Sequence, residues 1–495
     1  MKWLVVLNAA ALLTAAGLLT AALPASSPSS APPPLKWRAC PQDVAKPGLQ
    51  CATLDVPLDY RNSSGQTIEI TISRLASTDP GKRRGVLLTN SGGPGGQGLS
   101  FPADLRDLGI PKSVLDRYDV IGIDPRGIGH STPVTCNLTP QEHPSNIPTY
   151  ARNAADVTAE AKRVSAVAKK CGSSKTASVL PYITTANTAR DMDRIRSALG
   201  ERRVSYFGVS YGSYLGSVFT ALFPHRSDRI LIDSAPGPFG WDNSFSRLFG
   251  QGFQDRFPDF ARFAAARHKT YGLGRTPAQV RAKYFELGKK LDAKPSPDGV
   301  SGAAFRQLTF ALMYFDSKLP QLAAAWKALQ TGKRVAAREL ASDGTSAGAT
   351  KIPSDNYLAS QLHVICNDSD WSEEVSDYQR NVSRDRHRFP LFGAAGANIT
   401  PCAFWPSEPV EQQVQITGRG PSNVLILQNL RDPATPLAGA RKLRDAFGNR
   451  ARMVTADQGG HVAYPLMGNK CLNNIATKFL TRGDRPQKDL ACGSN

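Results

Sequence analysis

The amino-acid sequence predicts an α/β fold in which a mostly parallel sheet is covered by helices and carries an inserted helical cap. Short buried-strand patterns alternate with amphipathic helix patterns in the first half of the chain. A long helix-rich stretch then follows, and two further strand patterns lie near the end. The length of 495 residues leaves room for one large domain with an insertion of this kind.

The N-terminal segment has the pattern of a secretory signal. Lys2 precedes a largely apolar run from Trp3 to Leu23, and "PASSPSSAPPP" follows. This order is typical of a signal peptide, although the run is also close to the length of a membrane anchor. We predict a signal peptide and Pro/Ser-rich linker in residues 1–31. The mature protein is then expected to be extracellular, secreted or associated with a bacterial cell wall, and free of the membrane.

The composition is that of a soluble globular protein, with 41% apolar and 20% charged residues. The formal net charge is +19, but the Lys and Arg residues are scattered and no nucleic-acid motif accompanies them. We therefore interpret the charge as a solvated basic surface and expect no nucleic-acid partner. We expect the protein to act as a monomer on a peptide substrate.

The eight cysteines predict disulfides, because their number is even and the chain carries an export signal. Spacing along the chain favours local pairing, although sequence alone leaves the connectivity open. The favoured pairs are Cys40–Cys51, Cys136–Cys171, Cys366–Cys402 and Cys471–Cys492. No C-x-x-C pair or His/Cys cluster is present, so we expect neither a metal site nor a cofactor.

The first part of the sheet domain is predicted in residues 32–236. The segments "CATLDVPLDY" and "QTIEITISRL" surround the turn "RNSSG" and predict an opening hairpin. Buried strands are predicted at 85–90, 118–124, 204–210 and 229–236. In "TTANTARDMDRIRSALG" the apolar residues share one helical face, and a second helix is predicted after Ser210.

Residues 237–406 have a different pattern and are predicted to form the helical cap. Three helix patterns begin at Phe257, Thr276 and Leu319, and no clear buried strand lies between them. The second part of the sheet domain is predicted in residues 407–495. It contains strand patterns at 423–429 and 451–457 with a helix between them.

The motif Gly208-Val209-Ser210-Tyr211-Gly212 predicts a nucleophilic serine. It lies between the strand pattern "VSYF" and a helix pattern. A sharp strand-to-helix turn strains the central residue and crowds the positions two places on either side, which favours glycine there. The alternative is a glycine-lined helix start without catalytic function.

A serine nucleophile needs a base, and that base is commonly an imidazole held by a carboxylate. After such a turn the usual chain order is Ser, then Asp or Glu, then His. Only His461, in "DQGGHVAY", follows the last two strand patterns. Asp432 comes three residues after the preceding strand, in "LILQNLRDPATP". We predict a catalytic triad of Ser210, Asp432 and His461; the alternative for Asp432 is a turn residue.

The tetrahedral oxyanion formed by acyl transfer needs N–H donors. We predict that the backbone N–H groups of Gly93 and Tyr211 supply them. Tyr211 directly follows the nucleophile, and Gly93 lies in the Gly-rich loop after "GVLLTN". The loop lacks the Lys-Ser/Thr pair of a phosphate-binding loop, so that alternative is disfavoured.

Six segments together resemble one family. They are "NSGGPGG", "YDVIGIDPRGIGHS", "TTANTARDMDRIRSALG", "VSYFGVSYGSYLGSVFTALFP", "LQNLRDPATPLAGARKL" and "GGHVAY". They span most of residues 40–235 and 420–495. They resemble the prolyl-aminopeptidase-like α/β-hydrolases, among them the secreted tripeptidyl aminopeptidases of actinomycetes with a TAP-like C-terminal region. The resemblance implies an α/β-hydrolase fold, a serine nucleophile, a cap domain and release of short N-terminal peptides.

Two positions depart from the pattern of this family. Ser91 stands where many prolyl aminopeptidases have His, which points away from the proline-specific branch. The sequence "GPFGWDNSF" follows "RILIDSAP" where relatives usually have a more acidic segment. A substrate ammonium still needs a carboxylate partner. The densest acidic cluster of the cap is "NDSDWSEE", so Asp368 and Asp370 are candidate amine-binding residues, and the alternative is a solvated loop.

We therefore expect a secreted serine peptidase that releases short peptides, tripeptides in particular, from free N-termini through an acyl-enzyme. Two alternatives stay open. The same triad could serve a secreted amidase or esterase that acts on N-acylated small molecules such as acetylated antibiotics. The chain could also be a cell-surface binding protein with an inactive site.

Overall fold

Ten β-strands form one sheet in the computed structural model, which describes residues 35–143, 145–335 and 352–494. The predicted signal peptide and linker, residues 1–31, lie outside the described residues. The strands are β1 (Arg38–Ala39), β2 (Leu49–Pro57), β3 (Thr67–Leu75), β4 (Gly85–Asn90), β5 (Tyr118–Ile123), β6 (Val204–Val209), β7 (Ser227–Asp233), β8 (Val424–Arg431), β9 (Ala451–Gly459) and β10 (Leu490–Cys492).

The strand order is β1-β2-β3-β5-β4-β6-β7-β8-β9-β10. Strands β1, β2 and β3 are antiparallel to their neighbours, so the predicted opening hairpin is confirmed. Every pairing from β5 to β10 is parallel. The carboxyl ends of these parallel strands therefore meet along one edge of the sheet, and the loops after them can share a site.

Fifteen α-helices lie in the described part of the chain. They are α1 (Phe101–Asp107), α2 (Lys112–Leu115), α3 (Ala154–Gly172), α4 (Thr185–Ala198), α5 (Tyr211–Leu222), α6 (Asn243–Ala266), α7 (His268–Tyr271), α8 (Pro277–Ala293), α9 (Gly302–Leu312), α10 (Leu319–Gln330), α11 (Asn356–Asp368), α12 (Val375–Arg388), α13 (Gly393–Gly396), α14 (Leu437–Phe447) and α15 (Lys470–Arg482). Side-chain hydrogen bonds cap the N-termini of several helices. The Thr184 side chain accepts the Asn187 N–H at the start of α4, and the Thr276 side chain accepts the Gln279 N–H at the start of α8.

The sheet is buried on both faces, as a parallel sheet requires. All residues of β4 and β6 are buried. One face packs on α4, α5 and α14, and the other packs on α1, α2 and α15. The prediction of a mostly parallel sheet covered by helices is confirmed.

The described elements between β7 and β8 are all helical, from α6 to α13 and two short 3-10 helices. Aromatic rings form much of their shared core. Phe253 stacks on Phe392 with the ring centroids 5.1 Å apart, and Trp326 packs edge-on against Phe260 at 4.9 Å. Buried contacts also join α11 to the sheet domain, where Leu362 and Ile365 share a cluster with Leu180. The described residues consequently pack as one compact unit.

All four predicted disulfides are present in the structure. They join Cys40 to Cys51, Cys136 to Cys171, Cys366 to Cys402, and Cys471 to Cys492. No free cysteine is found among the described residues. Nor does any described helix combine the length and the apolar character needed to cross a membrane.

The Cys366–Cys402 disulfide is expected to stabilise the cap. It joins the last turn of α11 to the 3-10 helix Pro401–Phe404 and closes a separation of 36 residues. The double variant Cys366→Ala/Cys402→Ala should lose about 2–4 kcal/mol of unfolding free energy, because a cross-link restricts the unfolded chain. Denaturant unfolding of the oxidised proteins measures this loss.

The matched control is Cys40→Ala/Cys51→Ala, whose separation is only 11 residues. A shorter closed loop restricts the unfolded chain less, so this variant should lose less stability. Equal unfolding free energies for the Cys366→Ala/Cys402→Ala variant and the wild type would contradict the expectation.

Candidate active site

Ser210 lies at a sharp turn between β6 and α5. Its backbone has φ 56° and ψ −126°, a region that non-glycine residues rarely adopt. The Ser210 N–H donates to the Asp233 carbonyl at 2.9 Å, and the Ser213 hydroxyl donates to the Ser210 carbonyl at 2.6 Å. The turn therefore holds the serine at the carboxyl edge of the sheet and at the N-terminus of a helix, where negative charge is favoured.

The two glycines of the motif are required by close backbone contacts. A Cβ atom at Gly208 would lie 2.4 Å from the Gly212 carbonyl oxygen. A Cβ atom at Gly212 would lie 2.7 Å from the Asn90 carbonyl oxygen, at the end of β4. Any side chain at either position would push the turn out of shape, which explains their spacing around Ser210.

His461 and Asp432 form a buried pair. The Nδ1 atom of His461 is 2.9 Å from one carboxylate oxygen of Asp432 and 3.1 Å from the other. Asp432 follows β8 and His461 follows β9, two neighbouring parallel strands. Because Nδ1 faces the carboxylate, Nε2 is the nitrogen that remains for proton transfer with a substrate or nucleophile.

The Asp432 carboxylate is held by its own loop as well as by the histidine. One oxygen accepts the N–H groups of Ala434 and Thr435, at 2.8 and 2.9 Å. The other accepts the Thr435 hydroxyl at 2.8 Å, and that hydroxyl also lies 3.3 Å from His461 Nδ1. These hydrogen bonds fix the orientation of the carboxylate beside His461.

The cap also fixes His461. The His461 N–H donates to the Tyr314 carbonyl at 2.7 Å, and the two rings meet edge-on with their centroids 5.2 Å apart. Tyr314 comes shortly after α9. Sequence reasoning missed this contact, because nothing local in the sequence indicates that this cap segment reaches the histidine loop.

Asp233, at the end of β7, holds the loop that follows His461. Its carboxylate accepts the N–H of Ala463 at 3.0 Å and that of Tyr464 at 2.7 Å. The Ser234 hydroxyl adds a third hydrogen bond at 3.0 Å. Burial raises the pKa of Asp233 to about 6, against these hydrogen bonds, which favour the charged form. No pattern in the sequence indicated this function of Asp233.

Gly93 and Tyr211, the predicted oxyanion-hole residues, line one cavity together with Ser210 and His461. The Gly-rich loop comes very close to the serine: a Cβ atom at Gly92 would lie 2.7 Å from the Val209 carbonyl oxygen. The roles of these residues in catalysis stay predictions.

The cavity has a volume of about 250 Å³. Most of its wall is apolar and aromatic, and the polar groups are few. The lining residues are Ser91, Gly93, Asn146, Ser210, Tyr211, Pro236, Trp241, Phe245, Phe249, Tyr314, Phe315, Tyr357, Ala434, Thr435, His461 and Val462. None of these described residues is an Asp, Glu, Lys or Arg. The described residues also contain no group of three or more His, Cys, Asp or Glu side chains that could hold a metal ion.

The candidate amine-binding residues, Asp368 and Asp370, are not among the residues that line this cavity. Asp370 is exposed to solvent. The Asp368 carboxylate accepts the Thr185 N–H at 2.8 Å and the Thr185 hydroxyl at 2.5 Å. That hydroxyl is also 2.6 Å from the Tyr211 hydroxyl. Removal from solvent raises the pKa of Asp368 to about 7. Asp368 is thus linked through the Thr185 hydroxyl to the hydroxyl of Tyr211, the residue next to Ser210.

Comparison with known proteins places this geometry in context. Residues 389–492 match a family described as TAP-like protein. A tripeptidyl aminopeptidase of Streptomyces lividans is 34% identical over 472 residues, which cover 92% of this chain and 86% of that protein. The serine protease Hip1 of Mycobacterium tuberculosis is 27% identical, over 93% of this chain and 91% of the relative. Carboxylesterase B of the same organism is 28% identical, over 93% and 90%.

The variant Ser210→Ala is expected to lower kcat by roughly 10⁴–10⁶ while the protein stays folded, because the nucleophile of a serine triad is lost. Steady-state hydrolysis and labelling by a fluorophosphonate probe measure the effect. Ser91→Ala is the matched control, since Ser91 is the other serine that lines the cavity. It should keep at least about a tenth of the activity. If the Ser210→Ala variant keeps more than a few per cent of the wild-type activity, the prediction that Ser210 is the nucleophile is refuted.

The variant Asp368→Asn is expected to lower kcat by no more than about tenfold, and equally on free and N-acetylated tripeptide amides. The reason is that Asp368 hydrogen-bonds Thr185 beside Tyr211 and lies away from the cavity. Asp370→Asn is the matched control, because Asp370 is an exposed neighbour of Asp368. It should leave kcat and KM unchanged on both substrates. A rise of KM confined to the free amides would instead support amine binding by Asp368.

Proposed function

This chain belongs to the tripeptidyl aminopeptidase family, and we propose that it releases short peptides from free N-termini with Ser210, Asp432 and His461 as its triad. The family relation rests on 34% identity over 92% of the chain. The fold is an α/β-hydrolase fold, and the enzyme is a serine hydrolase. The observation that supports the proposed triad is the His461–Asp432 pair at 2.9 Å, whose histidine lines the same cavity as Ser210.

In the proposed reaction, the Ser210 hydroxyl oxygen attacks the scissile carbonyl carbon, and His461 Nε2 takes the hydroxyl proton. The carbonyl π pair moves onto oxygen, and the N–H groups of Gly93 and Tyr211 donate to that oxyanion. Asp432 stabilises the imidazolium through Nδ1–H. As the oxyanion collapses, the C–N bond breaks and the leaving amine takes the proton from His461. Water then attacks the acyl-enzyme by the same steps and frees Ser210.

We further propose that the enzyme works outside the cell. Four disulfides tie the described part of the chain, and such bonds persist in oxidising compartments. The pattern of residues 1–31 agrees with export. Extracellular action would bring the enzyme to peptide substrates, among them fragments left by other proteases.

The alternative of an N-acyl amidase or esterase has one specific observation in its favour. None of the described residues that line the cavity carries an Asp or Glu carboxylate that could pair with a substrate ammonium. A blocked, uncharged acyl group would suit that surface. A peptidase would have to bind the ammonium two residues further along the substrate, roughly 7 Å from the scissile residue.

The two functions are separated by one substrate panel. We expect free tripeptide amides to be cleaved with kcat/KM at least about tenfold above that of their N-acetylated forms. The reason is that a charged partner for the substrate ammonium contributes a factor of this order or more to kcat/KM. Aminoacyl, dipeptidyl and tetrapeptidyl amides of the same scissile residue complete the panel. Release of the intact tripeptide is followed by mass spectrometry.

Ser210→Ala serves as the control for contaminating peptidases in every reaction. Efficient hydrolysis of N-acetylated amides or simple esters, with no hydrolysis of free tripeptide amides, would reject the aminopeptidase proposal in favour of the alternative. Absence of labelling by a fluorophosphonate probe would reject both.

A further inference from the structure

The cavity beside Ser210 has one wall made of aromatic rings, which the proposed chemistry does not use. We name this the aromatic wall; it consists of Trp241, Phe245, Phe249, Tyr314 and Phe315. The first three recur at intervals of four residues, just before α6 and along its first turns, so they share one helical face. The other two follow α9 and face the same cavity.

The wall presents mainly carbon surface to the cavity. Phe245, Phe249 and Phe315 have no polar side-chain atom. The Trp241 indole N–H donates to the Ser246 hydroxyl at 2.9 Å. A polar or charged substrate group placed against the phenylalanine rings would lose its water without gaining hydrogen bonds.

The wall is also fixed in place by packing. The ring centroids of Phe245 and Phe249 are 5.3 Å apart, and Phe249 is 5.3 Å from Phe310 behind it. The Arg256 guanidinium of α6 donates to the Met313 carbonyl at 3.0 Å and so ties α6 to the segment that carries Tyr314. A preformed apolar surface gives up little conformational freedom when a ligand binds.

The depth of the wall indicates which side of the scissile bond it contacts. Phe245 is 5% exposed and Phe249 is 3% exposed, so the part of the wall that they form is enclosed by protein. When an enzyme cuts a peptide near its N-terminus, the acyl part of the substrate is short and the leaving chain can have any length. Only the short acyl part can be enclosed, since the leaving chain must extend into solvent.

The volume limits what the cavity can enclose. An apolar cavity of about 150 Å³ accommodates benzene. A cavity of about 250 Å³ therefore has room for one aromatic or branched aliphatic side chain and the atoms around the scissile carbonyl. It is too small for three whole residues, so the remainder of the acyl part must bind elsewhere.

We propose that the aromatic wall binds the side chain of the residue whose carbonyl Ser210 attacks, and that it selects aromatic and large aliphatic side chains over small or charged ones. In peptide substrates this inference rests on the proposed function. It adds a specificity site to the triad and names the substrate class: peptides with a bulky apolar third residue.

The first test is a series of free tripeptide amides that differ only in the third residue: Ala, Leu, Phe, Glu and Lys. We expect kcat/KM for Leu and Phe to exceed that for Ala by at least about tenfold, as for other apolar specificity pockets. Glu and Lys should fall below Ala, because their charges would be desolvated. Equal kcat/KM across the series, or a preference for a charged residue, would overturn the proposal.

The second test removes part of the wall. Trp241→Ala and Phe315→Ala should each reduce the Phe-to-Ala ratio of kcat/KM by at least about fivefold. The conservative variant Trp241→Phe should keep most of the wild-type Phe-to-Ala ratio of kcat/KM. Phe285→Ala is the matched control, since Phe285 is an aromatic residue of α8 that is 38% exposed and does not line the cavity. An unchanged ratio in both wall variants would overturn the proposal.

A series of p-nitrophenyl esters distinguishes failure of this inference from failure of the proposed function. The esters are the acetate, butanoate and hexanoate, whose acyl chains need no peptide recognition. If no peptide amide is cleaved, a rise of kcat/KM with chain length that Trp241→Ala abolishes would still support the wall. A flat dependence on chain length would overturn it. If tripeptides are released without side-chain preference, the proposed function stands and this inference fails.

Discussion

The strained backbone at Ser210 is the constraint on which the surrounding structure depends. Its φ of 56° lifts the side chain off the sheet, and the turn stays in place because its N–H donates to the Asp233 carbonyl of the neighbouring strand. Three glycines supply the clearance. Beside those of the motif, Gly92 is needed because its Cβ would lie 3.0 Å from the Ser210 Cβ. The nucleophile and the Gly-rich loop are thus positioned by the same close packing, so neither can move without the other.

Buried carboxylates at the ends of two parallel strands, β5 and β7, then position the loops. Asp233 holds the residues after His461, and Asp124, just past β5, accepts the N–H groups of Gly98 at 2.7 Å and His130 at 2.8 Å. Gly98 ends the Gly-rich loop. The parallel sheet brings these strand ends to one edge, and both carboxylates accept main-chain N–H groups of the loops. Asp233 also accepts the Ser234 hydroxyl, which in turn accepts the Val462 N–H of the His461 loop.

Sequence reasoning predicted the sheet, the helical cap segments and the four disulfides, because each has a local signal. Buried strands are short apolar runs, and the cysteines pair with near neighbours in the chain. The edge strands β1 and β10 have two and three residues, too few for a periodic pattern. Chain order suggested Ser210 and His461 as partners, and the structure brings both to one cavity. The contact of Tyr314 with His461 joins segments 147 residues apart, so no local pattern could reveal it. The hydrogen bonds between Asp368 and Thr185 could not be predicted for a similar reason, since burial is not visible in composition.

Stability alone cannot account for the buried carboxylates. Burial raises the pKa of Asp124 and Asp233 to about 6, above the value near 4 of an unfolded chain. The native state therefore favours the protonated form, and the unfolding free energy falls as pH rises from about 4 through 6, so the full cost is present at neutral pH. An amide would remove the charge but could not replace the carboxylate. In Asp233 both oxygens accept N–H groups, from Ala463 and Tyr464, and an Asn would turn its NH₂ group toward one of these donors. The charge is retained because two acceptor oxygens are needed at one point to hold the loop of His461.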